Sequence, residues 1–129
     1  MTNKKILLFQ IPPSKKKKIE ELCRSLRPEI DITLVSVRRE QYAENLGYLA
    51  GIEGIPSTRK QEPDIPFPGE MIVFSGITSE ELDVFLDAWK EKKLEKVALK
   101  AVLTPGNILW TPQKLLEELK KEHAALTGV

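Results

Sequence analysis

The chain has 129 residues, with 20 lysines and arginines against 19 acids and a formal net charge of +1. That length suits a single domain with a core of its own, and the charge balance excludes a surface that is everywhere a trap for nucleic acid. One cysteine, Cys23, excludes an internal disulfide framework and a multi-cysteine metal site and points to a reducing compartment. No apolar run is long enough to span a bilayer and no signal-peptide core follows Lys4 and Lys5, so a cytoplasmic protein is expected.

Residues 5–11 (KILLFQI) read as a buried strand stopped by Pro12 and Pro13. Ser14 then caps a helix whose Ile19, Leu22, Cys23 and Leu26 form one apolar stripe, with Pro28 forcing the exit. Cys23 lies on that stripe and reads as a small buried hydrophobe. Residues 31–37 (DITLVSV) are a second strand, and Tyr42, Ala43, Leu46, Leu49 and Ala50 share the face of a short helix capped by Gly51.

Residues 51–70 hold four prolines and no periodic pattern, which predicts a long loop, packed over an edge of the domain by Ile55, Ile65 and Phe67 and mobile enough to act as a lid. Residues 71–75 (MIVFS) are the third strand. Thr78 and Glu81 form a capping box for a helix with Leu82, Phe85, Leu86 and Trp89 inward. Residues 97–103 (VALKAVL) read as a fourth strand covered on both faces, interrupted only by Lys100. Pro105 and Gly106 then predict a type II turn, with positive φ at Gly106. Thr111 and Pro112 open the last helix, with Trp110 stapled onto Leu115. His123, near its end, complements the carbonyl dipole.

Four strand–helix units predict an α/β fold in three layers: a four-stranded parallel sheet, order 2-1-3-4, with helices on both faces. Ligands would gather at the carboxyl edge of such a sheet. The candidate binding residues there are Ser14, Lys15 and Lys16 after the first strand and Lys100, Thr104 and Asn107 at the fourth. Lys15 to Lys18 crowd four cations into the first turn of a helix, against its dipole, and an anion would relieve them; the plain alternative is a solvated lysine run. Lys100 is read as an edge-protecting charge or, alternatively, as an enzyme's active lysine with the nearby hydroxyls. Trp110 is expected to be structural, and residues 104–107 to be the exposed contact surface.

The segments Leu46-Gly47-Tyr48-Leu49-Ala50-Gly51 and Leu99-Lys100-Ala101-Val102-Leu103-Thr104-Pro105, the latter with Asn107 and Trp110, resemble an uncharacterised bacterial family, domain of unknown function 3783. The resemblance extends over most of the chain and implies a small bacterial cytoplasmic protein; it carries over no catalytic residue. The strand ends lack the clustered aspartates of a bacterial receiver domain, and no metal ligand set, nucleotide loop or Ser-His-acid arrangement can be named. The expectation is a regulatory or interaction module taking an anionic small molecule or a protein partner, with no cofactor, no metal and no nucleic acid.

Overall fold

The structure, a computed structural model, describes residues 4–26, 30–38, 41–42, 44–57, 69–97 and 99–127, with side chains as far as Lys121. Strands and helices alternate as β1 (Lys4–Phe9), α1 (Pro13–Ser25), β2 (Ile32–Val37), α2 (Leu46–Leu49), β3 (Met71–Ser75), α3 (Ser79–Glu91), β4 (Leu99–Val102) and α4 (Pro112–Thr127). The strands form one sheet in the expected order, β2-β1-β3-β4.

The expected all-parallel sheet is corrected to a mixed one. β1 is parallel to β2 and β3 to β4, but the central pair β1 and β3 is antiparallel, with Leu7 opposite Val73. Strands buried on both faces carry no side-chain alternation that records direction, and only a helix-bearing crossover of modest length forces parallel pairing. The connection from β2 to β3 holds a four-residue helix and then residues 50–70, long enough to deliver the chain to either end of β3.

One face of the sheet, with Leu7, Phe9, Met71 and Val73, packs on Leu46 and Leu49 of α2 and Leu115 and Leu116 of α4. The other, with Ile6, Leu8, Ile72 and Phe74, packs on Ile19 and Leu22 of α1 and Phe85 and Trp89 of α3. Phe9, Phe74 and Phe85 are fully buried, each contributing about 1.5–3 kcal/mol of transfer free energy. β1 and β3 are buried almost throughout, whereas the edge strands β2 and β4 alternate. The strand read at 97–103 as covered on both faces is thus a four-residue edge strand, with Lys100 and Val102 exposed.

The antiparallel centre divides the chain into two like units, β1-α1-β2-α2 and β3-α3-β4-α4. α1 starts at 13 and α3 at 79, 66 places on, and both run 13 residues. The same step carries Lys5↔Thr33 of the first ladder onto Met71↔Leu99 of the second, and Gln10 (φ 56°) onto Gly76 (φ 71°), the two left-handed residues that end the central strands. It carries Asn45, which caps α2 by accepting from Tyr48 N–H, onto Thr111, which accepts from Lys114 N–H. With α1 and α3 on one face, the units are related by a pseudo-twofold axis normal to the sheet near Leu7 and Val73, and their two crossovers have the same hand. Sequence identity barely survives: Ile6 and Ile72, Ile11 and Ile77, and Leu49 and Leu115 are among the few equal positions.

Candidate functional site

The reversal of β3 splits the expected site. The carboxyl ends of β1 and β2 lie at one end of the sheet and those of β3 and β4 at the other, so Ser14, Lys15 and Lys16 are not brought together with Thr104 and Asn107, whereas Lys100, at the amino end of β4, stays in the half of the sheet nearer the start of α1.

At the first end, α1 begins without a side-chain cap. Pro12 is its N-cap and Pro13 its first residue, so the expected cap, Ser14, lies inside the first turn instead, and no acid stands in that turn. Ser14, Lys17 and Lys18 are exposed and Lys16 is half-buried. Lys15 differs: it is 7% exposed, and its Nζ donates to Glu70 Oε1 at 2.5 Å and to the Lys96 carbonyl oxygen at 3.0 Å. Beside it a cavity of about 30 Å³, lined by Ser14, Lys15, Lys18, Leu94 and Glu95, has room for little more than a water molecule. A ligand here would meet the surface rather than enter a pocket.

The equivalent turn of α3 is built oppositely. The Thr78 hydroxyl accepts from Glu81 N–H at 3.1 Å, Glu81 Oε1 accepts from Thr78 N–H at 3.0 Å, and Glu80 and Glu81 both favour the helix dipole. Glu81 also meets Lys4 Nζ at 3.2 Å. Its carboxyl is held below the ordinary value of 4.5, first by the Thr78 backbone N–H and then by Lys4 against some desolvation.

Lys100 is exposed near the start of the edge strand β4, opposite Ile72 and so in the row of Leu8, and the strand carries the chain from there to the other end of the sheet. The turn after it is not the expected type II. Gly106 has no positive φ, and Asn107 N–H donates to the Thr104 carbonyl oxygen at 3.1 Å. Nor is the Asn107 amide exposed: it is 9% exposed, its Oδ1 accepts from Thr104 N–H at 2.8 Å, and its Nδ2 donates to the Val102 carbonyl oxygen at 3.1 Å. Asn107 therefore knots the turn from within, leaving the Thr104 side chain as its exposed polar group. Trp110 packs against the core as expected; its carbonyl oxygen accepts from Leu46 N–H at 2.8 Å, and Lys114 Nζ lies 5.6 Å from its ring centroid.

Gln41, the counterpart of Asn107, repeats two of its hydrogen bonds in the first unit: its Oε1 accepts from Arg38 N–H at 2.9 Å and its N–H donates to the Arg38 carbonyl oxygen at 2.9 Å. Reading the sequence unit by unit missed this and missed Lys4, Glu70 and Glu81 as paired residues; the signal was the constant step of 66. The expected loop is described only at its ends. Residues 51–57 are tied down, since Asn45 Nδ2 donates to the Pro56 carbonyl oxygen and the Ser57 hydroxyl donates to Glu44. Residues 58–68, with Ile65 and Phe67, lie outside the described residues, as does the His123 side chain.

Cys23 is half-buried beside an open groove along β2, and burial, with Glu20 nearby, pushes its thiol up to about 11. Such a thiol stays protonated at neutral pH and is a poor nucleophile. Among the described residues no three His, Cys, Asp or Glu side chains gather as a metal site, and no helix is long and apolar enough to cross a membrane.

No curated protein and no solved structure matches the chain. The family resemblance is narrower than expected: the matched stretch takes in the segment at 99–110 but not the one at 46–51, and covers less than half of the 129 residues. It starts at Glu70 and runs through β3, α3, β4 and most of α4, so the second unit of this chain, residues 70–126, is a match to the family described as Domain of unknown function (DUF3783).

Proposed function

We propose that the protein is a small interaction module that receives an anionic group, borne by a small molecule or a protein partner, at the lysine-rich first turn of α1. The observation that carries this reading is the contrast between two equivalent helix starts. α3 satisfies its own first turn with Thr78 and two acids, whereas α1, begun by two prolines that carry no N–H, leaves the backbone N–H groups of Ser14 and Lys15 without a side-chain cap, beside the Ser14 hydroxyl and Lys16, Lys17 and Lys18. Free N–H donors and cations at a helix start suit a phosphate or carboxylate. The shallow surface suits a group presented from outside, as on a partner, better than an enclosed organic ligand.

The alternative, a small enzyme using Lys100, has less support. Lys100 is exposed on an edge strand, and Asn107 is committed to its turn. The resemblance and the lone cysteine further support a bacterial, cytoplasmic setting.

A thermal-shift series with inorganic phosphate, nucleotides, sugar phosphates and acidic peptides tests the proposal. The expected result is a stabilising ligand whose effect falls with salt and disappears in Lys16→Ala/Lys17→Ala. At 100 times its dissociation constant it should add about 2.7 kcal/mol. Stabilisation that survives this double substitution, or catalytic turnover lost on Lys100→Ala, would overturn it.

A further inference from the structure

A true twofold interface repeats each contact: where residue i meets j, j meets i. The pseudo-twofold of this chain does the same, with one inversion. Lys4 is the counterpart of Glu70, and Lys15 of Glu81, each 66 places apart. The contact of Lys4 with Glu81 therefore maps onto the contact of Glu70 with Lys15, and both are present, at 3.2 and 2.5 Å. Each joins the start of one unit's central strand to the first helical turn of the other unit. In the first unit both positions are lysine; in the second both are glutamate.

We propose that these two ion pairs are a recognition code that commits the inner edge of the first unit, β1, to the inner edge of the second, β3, and shuts out like-with-like pairing between copies of the chain. Apolar burial alone discriminates poorly, because Ile6-Leu7-Leu8-Phe9 and Met71-Ile72-Val73-Phe74 are both buried apolar runs. Pairing a first unit with another first unit would set Lys4 against Lys15 twice, and two second units would set Glu70 against Glu81 twice. Lys4 and Lys15 are each 7% exposed, so salt and water would screen the lysine–lysine repulsion little, and the repulsion between the more open Glu70 and Glu81 somewhat more. An uncovered β3 is an open strand edge, and such edges pair with other chains unless something directs them. Opposite charges at two symmetric positions supply that direction, as charges flanking a coiled-coil seam select partners.

The test uses two full-length variants. Lys4→Glu/Lys15→Glu makes all four positions acidic. Glu70→Lys/Glu81→Gln removes both acids from the second unit, glutamine being chosen because it can still fill the capping box at α3. Each variant alone should melt about 5 °C or more below the parent, the shift that roughly one kilocalorie per mole gives in a chain of this size. Unfolded together in urea and refolded as an equimolar mixture, they should give a 1:1 heterodimer by native mass spectrometry, each first unit seated on the other chain's second unit. Separately refolded samples should not form it. Parental melting in both variants, homodimers of either one, or a mixture no richer in heterodimer than the separate samples would overturn the code. Should a variant fail to fold alone, the cycle of Lys15→Glu, Glu70→Lys and the two combined decides: the combined variant is expected to be more stable than the singles predict, and additive losses would overturn the proposal.

Discussion

Lys15 Nζ stands 2.5 Å from Glu70 Oε1, so the one buried lysine of the run at 15–18 is held by the start of the central strand of the other unit. Ser14, Lys17 and Lys18 are exposed and Lys16 is half-buried. The run is therefore two things: a structural cation at 15 and a more open group at 16–18, which is why substitutions meant to test anion binding belong on Lys16 and Lys17.

Lys15→Met should show this division. Removing one partner of a fully buried ion pair costs about 3–5 kcal/mol, but Glu70 is 27% exposed and can turn partly to water, so about 1–3 kcal/mol is expected. Lys17→Ala, on the exposed face, should change stability by no more than about 0.5 kcal/mol. Urea titration of both variants measures the difference, and equal losses would mean that the pair contributes nothing beyond a surface charge.

The turn at 104–107 makes a second comparison, between Asn107 and its counterpart Gln41. Asn107 is buried and bonded at both ends of its amide, so Asn107→Ala leaves the Thr104 N–H and the Val102 carbonyl oxygen without those partners, a loss of about 1–3 kcal/mol. Gln41 supplies one such bond, to Arg38 N–H in an exposed turn, and Gln41→Ala should cost less than about 1 kcal/mol. Thermal melts of the two variants give the ranking. A harmless Asn107→Ala would restore the turn as a contact surface rather than a structural knot.

Much of the fold could be read from residue pattern. The eight elements, the strand order and the inward stripes of α1 and α3 follow from apolar spacing and from the Thr78/Glu81 capping box, because burial and capping act locally. The direction of β3 could not be read, since Met71 to Ser75 are buried on both faces and look the same either way along the chain. That single reversal moved Thr104 and Asn107 to the far end of the sheet from Ser14 and separated them from Lys100 at the start of β4. The site suffered most because it depended on tertiary placement. The amide of Asn107 looked free only because its acceptor and donor groups, at Val102 and Thr104, come into reach when the turn closes.

Glu81 gives the protein an acid-sensitive element. Its folded carboxyl is held below the ordinary 4.5, by the Thr78 N–H first and by Lys4 after it, so it binds a proton less readily folded than unfolded. Its contribution is present above the unfolded value near 4.5 and is lost as pH falls through the lower folded value. Glu81→Gln keeps the geometry of the cap without the charge. Melting temperature followed from pH 6 downward should therefore fall less steeply in Glu81→Gln than in the parent, and parallel curves would show that the carboxylate does not contribute.

Gly106 carries the last prediction, because the sequence and the structure assign it opposite backbones. A type II turn would place Gly106 at positive φ, where any side chain costs about 1 kcal/mol or more, and Gly106→Ala would then destabilise. In the structure Gly106 is not among the left-handed residues, and a β-carbon added there would meet nothing nearer than the Thr104 hydroxyl at 3.6 Å, an ordinary contact. Replacing glycine by alanine at such a position restricts the unfolded chain more than the folded one and stabilises by about 0.4–1 kcal/mol. Gly51→Ala is the control, since its φ of +72° and a Lys5 Nζ at 2.5 Å from the added carbon both oppose a side chain. Urea midpoints should move up for Gly106→Ala and down for Gly51→Ala. A downward shift at Gly106 would return the turn to type II and with it free the Asn107 side chain, whose two hydrogen bonds depend on the turn closing as observed.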